Sequence, residues 1–472
     1  MAPGSSLALS TPSSPAEGDR LTFHWATDAP DSKNWVGIYD GTRLPGTGSS
    51  LLWKYTPGGS GDVQLDTSAL TDGPYTAYLL AKDGYGILAQ TAPFSFKPKP
   101  APVRPHLAVD ALTATPVAPG TAFRIRLGGL WMRGADAPVF RRTAGDSWLS
   151  VSSDGTVTGT APNSALPRPA VLTVGVRDAA GNTDTLTVQV PVNSRKPQLK
   201  TATLNLCKAG AGIEDALEKQ LRVVLTQSLD VVALQETAGT AAQTLADALG
   251  WYAYQSAGSV GILSRYPLAE TTAATAELPA AGVTVQLPGN HSVRFWAAHL
   301  DEADYGPYAV QDGRSAEATA ASETASPRGR QALALAALVK ADLAARRPVV
   351  LAAGLASPSH LDWTPATAAA HSGVTALNWP VTVALQNAGL VDAYRLAHPD
   401  PVASPGTTWS VTRTLRGSRP EPQDRIDQVH FAGKLTLVEA HVLTTGWPLP
   451  EPGAAANGWP SDTAAAVATF TL

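Results

Sequence analysis

The sequence predicts a multidomain chain in which two all-β sandwiches precede a larger α/β domain. Three observations predict it. Residues 6–97 and 106–194 alternate apolar and polar side chains over short runs separated by turn residues, the period-2 signature of half-buried strands. Between them, Lys97-Pro98-Lys99-Pro100-Ala101-Pro102-Val103-Arg104-Pro105 reads as a stiff extended linker. From residue 199 to 472 the texture changes, and short apolar runs alternate with stretches whose apolar residues recur at helical spacing.

In the first module the clearest strands are Leu21-Thr22-Phe23-His24-Trp25, Trp35-Val36-Gly37-Ile38-Tyr39, Leu51-Leu52-Trp53-Lys54-Tyr55 and Tyr75-Thr76-Ala77-Tyr78-Leu79-Leu80. Pro57-Gly58-Gly59 is a turn with a mechanism, because Gly supplies positive φ and Pro pre-sets φ. Alternating aromatics of this kind are core residues in a sandwich, with a carbohydrate-binding face as the alternative. In the second module Phe123-Arg124-Ile125-Arg126-Leu127, Leu172 to Asp178 and Thr185 to Val190 alternate cleanly. Leu149-Ser150-Val151, Gly155 to Thr160 and Asp178-Ala179-Ala180-Gly181-Asn182 resemble the immunoglobulin and cadherin-type modules of extracellular bacterial proteins. Neither module carries a catalytic cluster, so both read as spacers or binding modules.

The totals exclude several classes. The chain has 472 residues, 44% apolar and 16% charged, with 38 Pro and 41 Gly, a globular and turn-rich composition with room for two to four cores. A formal net charge of −4 leaves no strong nucleic-acid signal and no footprint for an anionic membrane. A single cysteine, Cys207, rules out intrachain disulfides and cysteine-based metal sites. It stands in Thr203-Leu204-Asn205-Leu206-Cys207 and is expected to pack there as a small apolar side chain. No run of about 18 apolar residues suits a transmembrane segment. Met1 to Ser6 has neither a basic region nor an apolar core and does not read as a signal peptide. A cytosolic protein and a protein that has shed its leader both agree with that.

Within 199–472, helical spacing runs over Ile213 to Leu225, Thr240 to Leu249 and Arg330 to Ala345, with buried strands expected at 229–234, 259–264, 292–298, 348–352 and 427–431. Asp230-Val231-Val232-Ala233-Leu234-Gln235-Glu236-Thr237 is the key stretch. Four apolar residues form a strand buried on both faces, and a carboxylate emerges at its carboxyl end, where open α/β sheets place their ligands. A solvated loop Glu is the plainer reading of that stretch alone.

Four further stretches alter the balance: Thr203-Leu204-Asn205, Gly261 to Pro267, Ala298-His299-Leu300-Asp301 with Tyr305-Gly306-Pro307-Tyr308, and Arg425-Ile426-Asp427-Gln428-Val429. In order and spacing the five resemble the endonuclease/exonuclease/phosphatase superfamily, the DNase I-like metal-dependent phosphoesterases. The resemblance covers essentially all of 199–472 and implies a four-layer α/β sandwich behind two immunoglobulin-like modules. That architecture resembles secreted members, which implies an extracellular protein, with the cytoplasm as the alternative. Phosphodiester hydrolysis needs a Lewis-acidic metal, an oriented water and an acid/base pair. By resemblance Glu236 is the main Mg²⁺ ligand in a single site, with Asn205 beside it and Asp462 as a further ligand. His299 matches the histidine that contacts the scissile phosphate, and Asp427 the aspartate that supports the catalytic histidine. Asp462, in Pro460-Ser461-Asp462-Thr463, matches the aspartate of the terminal Ser-Asp-His motif. Asn205, Tyr305 and His360 are the candidate contacts to a small-molecule or phosphorylated ligand.

The departures are as informative. The family has Gly-Asp-Phe-Asn after an apolar strand, where the Asp handles the attacking water and the Asn contacts phosphate. This chain has Ala353-Gly354-Leu355-Ala356, followed by the family-like Ser357-Pro358-Ser359-His360-Leu361-Asp362-Trp363. Thr463 stands where the terminal His belongs. The expectation is a pseudoenzyme or a cleft reused for another reaction, with an active Mg²⁺-dependent phosphodiesterase using substitute residues as the alternative. His360, Asp362, His371, His398 and His430 are possible substitutes, and His430, beside an apolar strand, reads as structural. Asp301 and Glu302 read as loop charges, and Asp424 with Arg425 as a pair. Gly313 to Ser326 reads as a loop or marginal helix, long enough for a lid.

Overall fold

A computed structural model describes residues 4–472 except 12–14, 17–18, 41–43, 48, 68–69, 71–72, 98–103, 135, 195–197, 446–447 and 452. Most of the expected linker therefore lies outside the described residues. The chain divides into two compact units, 1–103 with 445–458, and 104–444 with 459–472.

In the first unit a three-stranded sheet, Ser6–Thr11, Leu21–Ala26 and Ser60–Leu65, faces a four-stranded sheet. The order of the latter is Leu52–Tyr55, Trp35–Asp40, Tyr75–Ala81, Gly86–Gln90. Leu21, Phe23, Trp25, Val36, Ile38 and Leu79 fill the space between them. The aromatic alternation splits two ways. Trp25, Trp35 and Tyr39 are buried, whereas Trp53, Tyr55 and Tyr85 are exposed.

The second unit contains both the 106–194 segment and the α/β segment, so the boundary expected near 199 falls inside it. The 106–194 segment folds as a three-stranded sheet (Ala122–Arg126, Thr156–Thr160, Leu149–Val151) and a four-stranded one (Val139–Gly145, Ala170–Arg177, Thr183–Val190, Ala111–Thr113). It shares a hydrophobic core with the α/β segment, in which Leu107, Leu112 and Leu130 join Leu221, Val224 and Leu245. Gly129 makes the close approach possible, because a Cβ there would stand 2.3 Å from the carbonyl oxygen of Ala248.

The α/β segment is four layers. One six-stranded sheet has the order Tyr252–Gln255, Gly261–Ser264, Val231–Gln235, Gln198–Asn205, Ala465–Thr471, Thr436–Leu443. The other has the order Leu268–Thr272, Ala280–Leu287, His291–His299, Val349–Gly354, Asp427–Ala432, Val391–Asp392. Val231, Ala233, Phe295, Val350, Phe431 and Phe470 pack between the sheets. Val232 and Leu234, one residue out of phase, face the helices Ala216–Thr226 and Ala241–Leu249. Beyond the second sheet, Trp296 and Leu351 meet the helices Pro327–Ala344 and Pro380–Asn387. Strand 231–235 is thus buried on both faces, as its unbroken apolar run requires.

Within the segment 313–326, expected as a loop or marginal helix, Ala316–Ala325 is a helix. Ser315 caps Ala316–Ala325 by accepting the Ala318 N–H, and Ser326 ends that helix and caps the next through the Gly329 N–H. Glu323, on its last turn, is buried against Arg328 at 2.6 Å, which ties the two helices together.

Candidate active-site cleft

Strand direction assembles the cleft. Gln198–Asn205 and Val231–Gln235 run parallel with Asn205 opposite Gln235, so Asn205 and Glu236 leave their sheet at the same end. In the second sheet His291–His299 and Val349–Gly354 run parallel, and Asp427–Ala432 runs against them, so Gly354 pairs with His299 on one side and Asp427 on the other. Asp462 precedes the strand Ala465–Thr471, which is antiparallel to Gln198–Asn205. Asn205, Glu236, His299, Asp427 and Asp462 are therefore all delivered to one edge of the paired sheets.

The turns that carry these groups are strained. Cys207, Lys208, Ala209, Glu236 and Ala356 all have φ between 48° and 57°. Such left-handed conformations cost about 1–3 kcal/mol each away from Gly and persist only where the surroundings over-determine them. Here Leu206 N donates to the Gln235 carbonyl (3.0 Å) and Ala209 N to the Glu236 carbonyl (2.7 Å). Cys207 consequently does not extend the strand as its sequence pattern suggests. The strand ends at Asn205, and the half-buried thiol turns into the cleft, where burial and the charges of Asp462 and Glu236 push it up to about 11. It is a neutral thiol near pH 7, not a nucleophile.

Asn205 and Glu236 are locked together. Asn205 Nδ2 donates to Glu236 Oε1 (2.8 Å), while Asn205 Oδ1 accepts the Cys207 N–H (2.8 Å). Glu236 Oε2 accepts the Lys208 N–H (2.8 Å). Asn205 thus spends its amide on holding Glu236 and its oxygen on the turn. His299 Nε2 is 2.7 Å from Glu302 Oε1. Burial lowers the imidazole, but the hydrogen bond and charge of Glu302, with Glu236 and Asp427 behind them, leave it above its ordinary value. Asp427 is 2% exposed, its backbone N–H held by Thr408 Oγ1 (3.0 Å). Burial raises its carboxyl to about 7, against the lowering influence of Thr408 and His299. Asp427 Oδ2 and Asp462 Oδ1 are buried with no hydrogen-bond partner.

Glu302, read from sequence as a loop charge, enters the cleft. One donor atom each from Glu236, His299 and Glu302 lies within 4.8 Å of the others. The loop that carries Glu302 is fixed from behind by Arg328, fully buried, which donates to the carbonyls of Asp301 (2.6 Å), Ala303 (3.1 Å) and Asp304 (3.3 Å). The only sequence signal was the position of Glu302 three residues beyond His299, close enough for a reversal of the chain to bring it back. The arrangement suits a divalent cation, and of its three donors Glu236 is shared with the set Asn205, Glu236 and Asp462 that the resemblance implies for Mg²⁺.

Two expected ligand contacts, His360 and Tyr305, are committed to other partners. His360 is held at Nδ1 by Thr382 Oγ1 (2.8 Å) and at Nε2 by Gln386. It lines a separate cavity of about 280 Å³ with Asp392, Arg395 and His430. His430 itself is buried and bonded to Gln428 Oε1 (2.9 Å), the structural role its strand suggests. Tyr305 turns its hydroxyl to Asp424 Oδ2 (3.1 Å), which Trp363 Nε1 also reaches at Oδ1 (2.9 Å). His371 lies 3.7 Å from that carboxylate and stacks on Trp363. Asp424 and Arg425 do not pair with each other, because consecutive residues of an extended chain point to opposite sides. Arg425 inserts instead between Asp362 and Asp392.

Burial raises the Asp424 carboxyl to about 6, against the lowering hydrogen bonds of Trp363 and Tyr305. In the unfolded chain it titrates near its ordinary value of about 3.9. Its contribution to stability is therefore present below about pH 4 and is lost as pH rises through about 6. The stability of the wild-type protein relative to Asp424→Asn is expected to fall as pH rises across that window. Urea unfolding of both proteins at stepped pH measures it, and a difference that is flat with pH contradicts it.

An uncharacterized protein of Caenorhabditis elegans, F14F9.5, is 31% identical to this chain over 291 residues, which span 58% of this chain and 91% of the nematode protein. The chain belongs to the family of that protein. No protein-family model matches the chain. Among solved structures, an endonuclease/exonuclease/phosphatase from Beutenbergia cavernae is similar over 59% of this chain and 72% of its own, at 19% identity and TM-score 0.39. A 3′ phosphatase from Neisseria, solved bound to a product DNA hairpin, is similar over 58% of this chain and 100% of its own, also at 19% identity and TM-score 0.39. An AP endonuclease from Archaeoglobus fulgidus is similar over 58% of this chain and 100% of its own, at 14% identity and TM-score 0.35. No helix among the described residues is long and apolar enough to cross a membrane.

Proposed function

We propose that the cleft is a degenerate phosphoesterase site that holds a phosphorylated or polyanionic ligand and does not hydrolyse phosphodiesters by the route of the superfamily it resembles. Gly354 carries this reading. A Cβ at 354 would stand 3.4 Å from Gln235 Cγ and 3.5 Å from both Asp427 Oδ1 and His299 Cδ2, so a side chain there would project between the cleft's imidazole and its buried acid. The chain offers none. Ala356 and Thr463 likewise lack the amide and imidazole that the resemblance assigns to those positions. General acid–base groups contribute about 10²–10⁴-fold each and electrostatic donors about 10²–10³-fold. These factors do not multiply within one catalytic unit, yet losing three members removes several orders of magnitude.

A second reading, reuse of the cleft for other chemistry, is favoured by the His299–Glu302 pair. A carboxylate bonded to an imidazole orients it as a general base. Hydrolysis of bis(p-nitrophenyl) phosphate with Mg²⁺ or Mn²⁺, beside binding of a polyphosphate, tests both. Binding with no turnover above that of Glu236→Ala is the expected result. Metal-dependent turnover abolished by Glu236→Ala overturns the degenerate reading, and its additional loss in Glu302→Gln supports reuse.

A further inference from the structure

We propose that Glu236, His299 and Glu302 form a three-donor site for a divalent first-row transition metal, Zn²⁺ being the type case, in place of the oxygen-only Mg²⁺ site that the sequence resemblance implies. The donors come from two sheets and one loop. Glu236 leaves strand 231–235, His299 ends strand 291–299, and Glu302 returns on the loop anchored by Arg328. Their donor atoms already lie within 4.8 Å of one another. Ligands about 2.0–2.2 Å from a common zinc stand roughly 3–4 Å apart, so a small contraction of the group completes the site. His299 Nε2 and Glu302 Oε1, 2.7 Å apart across a shared hydrogen, part slightly as the metal replaces that hydrogen.

The chemistry of the donors sets the class of metal. Mg²⁺ takes oxygen ligands in near-ideal octahedra and retains several waters, whereas imidazole nitrogen suits zinc and its first-row neighbours. Asn205 Oδ1 already accepts the Cys207 N–H, which ties that oxygen to the turn. Its amide instead pins Glu236 at Oε1, the orienting contact that outer-shell groups make to metal ligands. Three protein donors leave at least one position open for water or an anion.

Independent support comes from deeper in the cleft. Asp427 Oδ2, on a residue 2% exposed, is buried without a hydrogen-bond partner. Unsatisfied buried carboxylate oxygens call for an explanation, and a nearby cation is among the usual ones. Asp427 adjoins His299, since the position of a Cβ at 354 is 3.5 Å from each. Asp427 thus stands beside the imidazole of the three-donor group, and a dication there would offset the charges of Glu236 and Glu302.

Titration of the full-length protein with Co²⁺ and with Zn²⁺, without any phosphorylated ligand, tests this separately from the function proposed above. The expected result is one Co²⁺ per chain with a visible d–d absorption, displaced by one equivalent of Zn²⁺ and not by about a hundredfold excess of Mg²⁺. His299→Ala and Glu302→Gln should each weaken Co²⁺ binding by at least about 10-fold, with His299→Gln as the substitute if the alanine variant does not fold. Asp462→Asn should retain the Co²⁺ spectrum. Absence of Co²⁺ and Zn²⁺ binding by the folded wild-type protein overturns the proposal. So does loss of binding in Asp462→Asn with His299→Ala unaffected, or equal competition by Mg²⁺.

Discussion

The combined change Gly354→Asp, Ala356→Asn and Thr463→His is expected to raise phosphodiester hydrolysis by about 10²–10⁴-fold over the parent chain, the size of one restored general acid–base contribution. The three positions do not accept their new side chains equally. At 354 a Cβ meets only ordinary contacts, at 3.4–3.5 Å, and the backbone is not left-handed, so an aspartate there carries no backbone strain but adds a carboxylate beside the buried Asp427. At 356 φ is 48°, a region that Asn enters more readily than Ala, so the change to Asn suits the backbone already present. Position 463 resists. Thr463 is 3% exposed, its N–H bonded to Ser461 Oγ (3.2 Å) and its carbonyl to Trp459 Nε1 (2.7 Å). Enlarging a packed side chain there costs about 1–3 kcal/mol. The double change at 354 and 356 should therefore cost less stability than the triple change, which should have the lower Tm. Steady-state rates on bis(p-nitrophenyl) phosphate, with circular dichroism as the folding control, decide the matter. A folded triple variant with no gain in rate would show that the cleft has diverged beyond these three side chains.

Arg425→Met is expected to destabilise the second unit by about 3–5 kcal/mol, the penalty for breaking a buried ion network from one side. Arg425 is 2% exposed and bridges two acids, at 3.0 and 3.1 Å to Asp362 and at 2.7 and 3.1 Å to Asp392. Methionine keeps much of the volume and removes the charge. Asp362 would keep Arg395, while among the described residues Asp392 would keep as hydrogen-bond donors the N–H groups of Tyr394 and Arg395 and the hydroxyl of Ser359. A buried carboxylate so reduced is the dominant cost. In urea the midpoint should fall with the slope unchanged, since the surface exposed on unfolding is the same. A loss below about 1 kcal/mol, the range of an exposed pair, would mean that water reaches this network.

What was legible in the sequence is what near neighbours along the chain determine. The period-2 alternation of 21–25 and 172–178, the helical spacing of 240–249, and the unbroken apolar run 231–234 all became the elements they predicted. Each depends on which face of a strand or helix an apolar side chain takes, and that follows from the local period alone. The same locality explains how four of the five short stretches brought Asn205, Glu236, His299 and Asp427 to notice: each stands at or near a strand end. Contacts between distant segments were not legible. Glu302 reaches His299 only because Arg328, 26 positions further on, grips its loop; Asn205 is spent on Glu236; Arg425 abandons its neighbour Asp424 for acids 63 and 33 residues away. The packing of 106–194 onto the helices of the α/β segment is of the same kind. By itself the sequence determined the elements and the strand ends at which chemistry would be found. Which side chains meet there, and which are already committed to hydrogen bonds and ion pairs, was decided by the tertiary structure, because desolvation and pairing energies belong to groups that burial brings together across the chain.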